Sequence, residues 1–158
     1  MRIPPFVPEK PLRTTIALRG AAGAEWLNRL PAIISRCEER WSLKVGPLFP
    51  GLQDNWAAAA TCTDGTPAAL KLSFPETREF RTEAEALRLF DGRGAVRLLR
   101  LDLGVGAMPL ERLEPGTSLT TVQDDEEATL IAADVLGQLW RAGISQAVLA
   151  ELLSAVRG

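Results

Sequence analysis

A single lysine inside an apolar, strand-like run is the feature that most constrains the fold of this chain. Lys71 lies in the run from Ala68 to Phe74, which follows the dipeptide Asp64-Gly65. Because glycine tolerates positive φ angles, this dipeptide predicts a tight hairpin turn, and the run predicts a strand paired with the segment before it. The ammonium group of a strand lysine most often points into solvent. Where it does not, it needs a carboxylate partner.

The segment after this strand offers that partner. Residues 76–90 have helical periodicity, and Glu83 lies at the centre of an apolar stripe that should face the sheet. A carboxylate in such a stripe needs a counter-charge, and Lys71 is the obvious one. Glu79, one turn earlier on a similar face, is the alternative carboxylate. The other members of the stripe are Ala86, Leu87 and Phe90.

Three further helices are predicted from apolar spacings of three and four. The first runs from Gly23 to Trp41, and Pro31 predicts a kink or a junction of two short helices within it. Residues 38–40 of this helix are read as a solvated face. The second helix is capped by Asp124-Asp125 and runs to Trp140, and the third covers residues 145–156. The proline-rich residues 1–15 predict an extended lead-in.

Five strands are predicted in total. The order of elements is helix, three strands, helix, two strands, connector and helices, which indicates an α+β fold with a five-stranded antiparallel sheet. The predicted strands cover residues 43–49, 56–62, 68–74, 95–101 and 107–113.

The composition of the chain excludes several classes of function. The chain has 158 residues, 46% of them hydrophobic, and a net charge of −2, which describes one soluble globular domain without affinity for nucleic acid or a membrane surface. No apolar run reaches the roughly 18–20 residues of a spanning helix, and the first residues lack the apolar core of a signal peptide, so we expect a cytoplasmic protein. Cys37 and Cys62 are expected to be buried free thiols. The chain contains no histidine, which excludes histidine–metal sites, Ser-His-Asp triads and histidine general bases.

A strand lysine followed by a helix glutamate is also the arrangement with which the kinase fold holds the phosphates of ATP. Several stretches of this chain, in the matching order and spacing, resemble the aminoglycoside and hydroxyurea phosphotransferases, and the resemblance covers about residues 3–140. The stretches are residues 64–75, which contain Lys71; 83–99, which contain Glu83; 110–119; Ile3-Pro4-Pro5; and Trp26-Leu27.

The resemblance implies a protein-kinase-like N-lobe and transfer of the γ-phosphate of ATP to an alcohol group of an antibiotic. It implies that Lys71 holds the α- and β-phosphates, that Glu83 pairs with Lys71, and that the carbonyl of Glu111 and the amide of Leu113 hold the adenine. Residues 51–55 would cover the phosphates, although they lack the glycine pattern of protein kinases. Residues 57–60, all alanine, depart from the bulkier side chains expected above the adenine.

The catalytic part of the family pattern is missing. The family's catalytic loop reads His-Gly-Asp with an asparagine shortly after, whereas this chain has no histidine, and its asparagines, Asn28 and Asn55, both precede Glu111. Asp102-Leu103-Gly104 resembles a magnesium-binding Asp-Phe-Gly motif but comes before Glu111, so we interpret it as a turn. We therefore expect no catalytic and no metal-binding residues, no Mg²⁺ held by this chain alone, and an acceptor site outside it.

These observations divide the chain into an N-terminal extension with helices (1–42), a kinase-like nucleotide lobe (43–113), and a connector with C-terminal helices (114–158), the second lobe being missing. One interpretation is the nucleotide lobe of an antibiotic phosphotransferase, inactive by itself. The alternative is a non-catalytic interaction module or a decayed fragment, in which Lys71 and Glu83 form an ion pair without a nucleotide. The apolar faces of residues 128–140 and 148–156 predict self-association as a homo-oligomer.

Overall fold

A computed structural model describes residues 17–51, 55–75 and 77–142 of the chain. Its described residues form an α+β fold, as predicted, with one antiparallel sheet whose strands lie in the order β1-β2-β3-β4. The predicted lead-in at 1–15 and the predicted helix at 145–156 lie outside the described residues. The elements in chain order are α1 (Gly20–Trp41), β1 (Leu43–Leu48), β2 (Trp56–Cys62), β3 (Pro67–Leu72), α2 (Arg78–Phe90), β4 (Ala107–Glu111), a short 3-10 helix (Leu119–Thr121) and α3 (Asp125–Arg141).

The sheet of the described residues has four strands, so the prediction of five was wrong. The segment predicted as a strand at 95–101 runs beside β4 but makes one isolated bridge, between Leu98 and Leu110. The amides of Leu99 and Arg100 both donate to the carbonyl oxygen of Pro109, at 2.9 and 3.4 Å. Proline has no amide hydrogen to return, so a regular ladder cannot continue on this side of β4.

The two faces of the sheet carry different layers. Side chains alternate between the faces along each strand, and the register pairs Ala57, Lys71 and Met108 on one face. This inner face is covered in part by α2, through a cluster of Phe80, Leu87 and Met108. The outer face is covered by α1. The buried residues of this larger cluster are Trp26, Leu30, Ile33, Ile34, Cys37, Leu43, Val45, Trp56, Ala58, Ala60, Ala68, Leu70, Leu72 and Ala107.

Helix α1 is one continuous helix through Pro31, so the predicted junction of two short helices is wrong. Proline removes one intrahelical hydrogen bond, but buried residues on both sides of it, Leu30 and Ile33, pack in the same cluster and stabilise the helix across this position. Cys37 is buried as predicted, whereas Cys62 is half-buried, and both thiols are free. None of the helices within the described ranges is long and apolar enough to cross a membrane.

Helices α2 and α3 begin at side-chain caps. The hydroxyl of Thr77 accepts from the Phe80 amide, so α2 starts after residue 77; the predicted start, residue 76, lies outside the described residues. Asp124 accepts from the amides of Glu126 and Glu127, at 2.9 and 3.0 Å, which confirms the predicted cap of α3.

Candidate functional site

Lys71 and Glu83 form the central contact of the candidate site. The ammonium nitrogen Nζ of Lys71 lies 2.6 Å from Oε1 and 2.8 Å from Oε2 of Glu83, so the carboxylate is engaged through both oxygens. The predicted ion pair is therefore present. Glu79, the alternative carboxylate, is exposed in the first turn of α2.

The local structure explains why these two side chains meet. Lys71 lies in β3 on the inner face, directly opposite Met108 of β4, and Met108 is fully buried beneath α2. Glu83 belongs to the side of α2 that faces the sheet, between the buried residues Phe80 and Leu87. The side chain of Lys71 thus extends from the inner face of the sheet towards α2, where its ammonium group reaches the carboxylate of Glu83.

On its other side Lys71 borders alanines of β2 and β3, of which Ala59 is buried with 8% of its surface exposed. Ala57 of β2 is the direct cross-strand neighbour of Lys71, and Ala59 and Ala69 form the next pair on the same face. Ala57 and Ala69 are half-buried, although each projects only a methyl group. Ala58 and Ala60 point to the outer face and are buried under α1. The run of alanines thus contributes to both faces: Ala58 and Ala60 pack under α1, and Ala57 and Ala69 place small, half-buried apolar side chains near Lys71.

The predicted adenine-binding residues lie where β4 ends. Glu111 is the last residue of β4, and its amide and its carboxylate bind the backbone of Arg97, at 2.9 and 3.0 Å. Leu113 follows two residues later with 59% of its surface exposed. The structure thus gives the Glu111 side chain a role in holding residues 97–98 against β4. The adenine contacts assigned to the Glu111 carbonyl and the Leu113 amide stay a prediction.

The segment expected to cover phosphates falls largely outside the described residues. Of residues 51–55, the structure describes Gly51 and Asn55. Gly51 adopts φ = +74°, a conformation that favours glycine. The role of this segment stays a prediction.

Asp102 is a structural residue, in line with the turn predicted for Asp102-Leu103-Gly104. Its Oδ1 accepts from the amides of Gly104 and Val105, at 3.0 and 3.3 Å. Its Oδ2 pairs with the guanidinium groups of Arg40 and Arg36, at 3.3 and 3.7 Å. These arginines lie on α1, over the sheet face opposite Lys71.

Sequence reasoning missed these arginine contacts. It treated residues 38–40 as a solvated face, whereas Arg40 pairs with Asp102 and Glu38 accepts from the Val45 amide at 2.8 Å. No periodicity could have revealed the arginine contacts, because Asp102 is distant in sequence from Arg36 and Arg40. Across the described ranges, no group of three or more acidic, cysteine or histidine side chains has the geometry of a metal site.

Comparison of the sequence with known proteins identifies a family that this chain matches. The profile of the family described as "Aminoglycoside/hydroxyurea antibiotic resistance kinase" matches residues 55–153. The chain is 40% identical over 121 residues to a streptomycin 6-kinase of Streptomyces griseus, and 38% identical over 136 residues to a hydroxyurea phosphotransferase of Kitasatospora aureofaciens. A streptomycin 6-kinase of Streptomyces glaucescens is 34% identical over 120 residues.

The matches cover most of this chain but a minor part of the relatives. They include 76%, 84% and 76% of the chain, respectively, and 39% of each relative's length. This extent of similarity is enough to assign the family. The chain belongs to the aminoglycoside/hydroxyurea antibiotic resistance kinase family.

Proposed function

We propose that this chain is the nucleotide-binding lobe of an ATP-dependent phosphotransferase that modifies an alcohol group of an aminoglycoside in the cytoplasm. In this proposal the described residues form a kinase-like N-lobe, and α2 is the helix that carries Glu83, the carboxylate that pairs with Lys71. Family membership supports the reaction class. The observation that carries the nucleotide role is the contact of the Lys71 ammonium with both oxygens of Glu83.

The ion pair suits phosphate binding because it leaves the ammonium oriented and accessible. A lysine ammonium has three N–H donors, and within the described residues Glu83 is its one hydrogen-bond partner. The two carboxylate oxygens occupy two donors, so the third can reach a phosphate oxygen. Its side chain is 18% exposed, which keeps it close to solvent and to an incoming anion. In the proposed complex Lys71 contacts the α- and β-phosphates.

The alanines near Lys71 support the placement of the base. A purine ring packs on apolar side chains, and the half-buried methyl groups of Ala57 and Ala69 lie near Lys71 on the same face of the sheet. The ring would extend from there towards the end of β4, where the carbonyl of Glu111 and the amide of Leu113 are proposed to bind its edge. The phosphates would then lie near Lys71, beneath residues 51–55.

The acceptor site and the catalytic base are proposed to lie in the part of the family proteins that this chain does not match. The chain has no histidine and therefore no His-Gly-Asp loop, and it corresponds to 39% of the length of its relatives. Phosphoryl transfer depends on a base, metal ligands and a positioned acceptor. We therefore propose that the chain by itself binds ATP and does not transfer phosphate, and that Mg²⁺ enters the site only with the nucleotide.

Nucleotide-dependent stabilisation tests this function. A ligand that binds only the folded state raises the free energy of unfolding, by about 2.7 kcal/mol at a hundredfold excess over Kd. We expect ATP to raise the melting temperature of the wild-type protein and of Lys44→Ala, whose lysine is exposed on β1. We expect no increase in Lys71→Ala. An equal increase in Lys71→Ala would place the nucleotide elsewhere, and no increase in the wild type would reject ATP binding.

A second candidate function, a non-catalytic interaction module, is favoured by α3. One side of this helix carries Leu130, Leu136 and Trp140, which are 66%, 53% and 68% exposed. A helix that is apolar beyond its packed face usually lies between two bodies. We propose that this face mediates self-association of the chain. A dimer by light scattering that dissociates in Leu136→Lys, but not in Gln123→Lys, would support this role, whereas a wild-type monomer at high concentration would argue against it.

A further inference from the structure

We propose that α1 fixes the position of α2, and with it Glu83, through two anchors, one just before α2 in the chain and one in the segment after it that packs against α2. The first anchor is the contact of Trp26 with Phe74, just before α2. The second is the pairing of Arg36 and Arg40 with Asp102, after α2. The consequence for nucleotide binding rests on the proposed function, whereas the anchoring itself does not.

The first anchor holds the chain where it leaves β3. The rings of Trp26 and Phe74 stack with centroids 5.1 Å apart and an angle of 23° between their planes. The guanidinium of Arg19 lies 4.6 Å from the centroid of the same Phe74 ring. Phe74 thus contacts two residues from the N-terminal end of α1, and it lies three positions before Thr77, the cap of α2. A shift of α2 at this end must therefore disturb buried contacts, because Trp26 is only 6% exposed.

The second anchor holds the segment that follows α2. Asp102 is 13% exposed and connects the turn at Gly104 and Val105 to the two arginines of α1. Its neighbours Leu101 and Leu103 pack against the cluster of Phe80, Leu87 and Met108. Asp102, which pairs with the arginines of α1, therefore lies between two leucines that pack against residues of α2.

These two anchors connect layers on opposite faces of the sheet. Helix α1 covers the outer face and α2 covers part of the inner face, so a direct contact between them is blocked by the strands. Lys71 is fixed in β3 by its pairing with β2 and β4. Glu83 moves with α2. The distance between the two charged groups is thus set by the position of α2, and α1 restrains that position through the residues just before α2 and through residues 101–103, which pack against it. Trp26 and Asp102 are positioning residues for Glu83.

Hydrogen exchange tests the anchoring without a nucleotide. In Trp26→Leu and in Asp102→Asn we expect the α2 amides to exchange at least about tenfold faster relative to the β3 amides. Trp26→Phe, which keeps an aromatic ring on Phe74, should restore the wild-type ratio. Ile34→Ala serves as the control, because Ile34 is buried in the same cluster but belongs to neither anchor. It should accelerate exchange in α2 and β3 together. Equal acceleration of α2 and β3 in the anchor variants would overturn the proposal.

Nucleotide affinity then tests the consequence. We expect Trp26→Leu to weaken binding of magnesium-ADP by about tenfold, and to have no further effect in a Glu83→Gln background, since the loss acts through Glu83. An equal loss in both backgrounds would show that α1 does not act through Glu83. If the wild-type protein binds no ADP, the proposed function fails, and the exchange ratio still decides whether α1 anchors α2.

Discussion

Lys71 lies on the sheet and Glu83 on the helix that covers it, and the two side chains differ in exposure, at 18% and 39%. The pair therefore lies at the boundary between protein and solvent. Ion pairs in such positions contribute at most about 1 kcal/mol to folding, because solvent screens the charges and two flexible side chains must be ordered. This places the importance of the pair in ligand binding more than in the stability of the fold.

Glu83→Gln should separate binding from stability. The amide has nearly the shape of the carboxylate but no charge, so Lys71 loses the group that orients it. We expect the free energy of unfolding to change by less than about 1 kcal/mol and the affinity for ATP to fall by about tenfold or more. Urea unfolding and calorimetric titration measure the two effects.

Glu85→Gln is the matched control, because Glu85 is exposed on the same helix. It should leave both quantities unchanged. A loss of several kcal/mol in Glu83→Gln with unchanged nucleotide affinity would contradict the proposed role and identify the pair as a structural one.

Gly106→Ala should be strongly destabilising. Gly106 has φ = +68°, and an added Cβ would approach the carbonyl oxygen of Ser73, whose amide already donates to the Gly106 carbonyl at 2.8 Å. Relief requires separation of the end of β3 from the turn before β4. We expect a loss of about 3 kcal/mol, from the positive φ angle and the steric conflict together, measured by urea unfolding.

Gly65→Ala isolates the backbone contribution. Gly65 has φ = +85°, but no atom of the part of the chain that the structure describes lies within 4 Å of an added Cβ. Its substitution should cost about 1 kcal/mol. If the two variants lost the same free energy, the close contact between Gly106 and Ser73 would have no energetic consequence.

The buried thiol of Cys37 should make stability fall at alkaline pH. Burial, and secondarily the charge of Asp102, raise the pKa of Cys37 from 9.0 to about 11. Below the lower value both folded and unfolded states hold the proton. As the pH rises from that value to the higher one, the unfolded state loses the proton while the folded state keeps it. Stability should then fall by up to about 1.4 kcal/mol per pH unit across this window.

Urea unfolding at about pH 8 and about pH 10.5 measures this contribution. Cys37→Ala lacks the thiol, so its stability should fall less between the two pH values than that of the parent. Using Cys62→Ser as the common parent removes the other thiol of the chain. Parallel losses in the two proteins would show that Cys37 does not hold its proton in the folded state.

Local patterns in the sequence predicted the contact between Lys71 and Glu83, whereas they did not predict contacts between segments that are distant in sequence. The strand run around Lys71 and the apolar stripe around Glu83 each follow from residue spacing, so their meeting could be inferred. The missing fifth strand depends on the neighbours of Pro109, which periodicity does not reveal. The pairing of Arg40 with Asp102 depends on how α1 crosses the sheet, and no pattern within either segment encodes that crossing.

Gly94→Ala should loosen α3 from the rest of the fold. Gly94 has φ = +75°, and an added Cβ would lie 2.7 Å from the carbonyl oxygen of Val135 and 2.9 Å from Cγ of Leu139. Both atoms belong to α3, so the helix packs closely on the turn after α2 at this glycine. The helix must move away to accept a methyl group. We expect a loss of about 2–3 kcal/mol in urea unfolding and faster cleavage by trypsin after Arg141, the last residue of α3.

Gly51→Ala separates the steric effect from the backbone effect. Gly51 has nearly the same φ angle, +74°, and among the described residues no atom lies within 4 Å of an added Cβ. Its substitution should cost about 1 kcal/mol and leave the cleavage rate at Arg141 unchanged, because Gly51 does not touch α3. Equal cleavage rates in the two variants would mean that the contact with Gly94 does not hold α3 in place. The apolar face of Leu130, Leu136 and Trp140 would then belong to a helix that depends on a partner for its position.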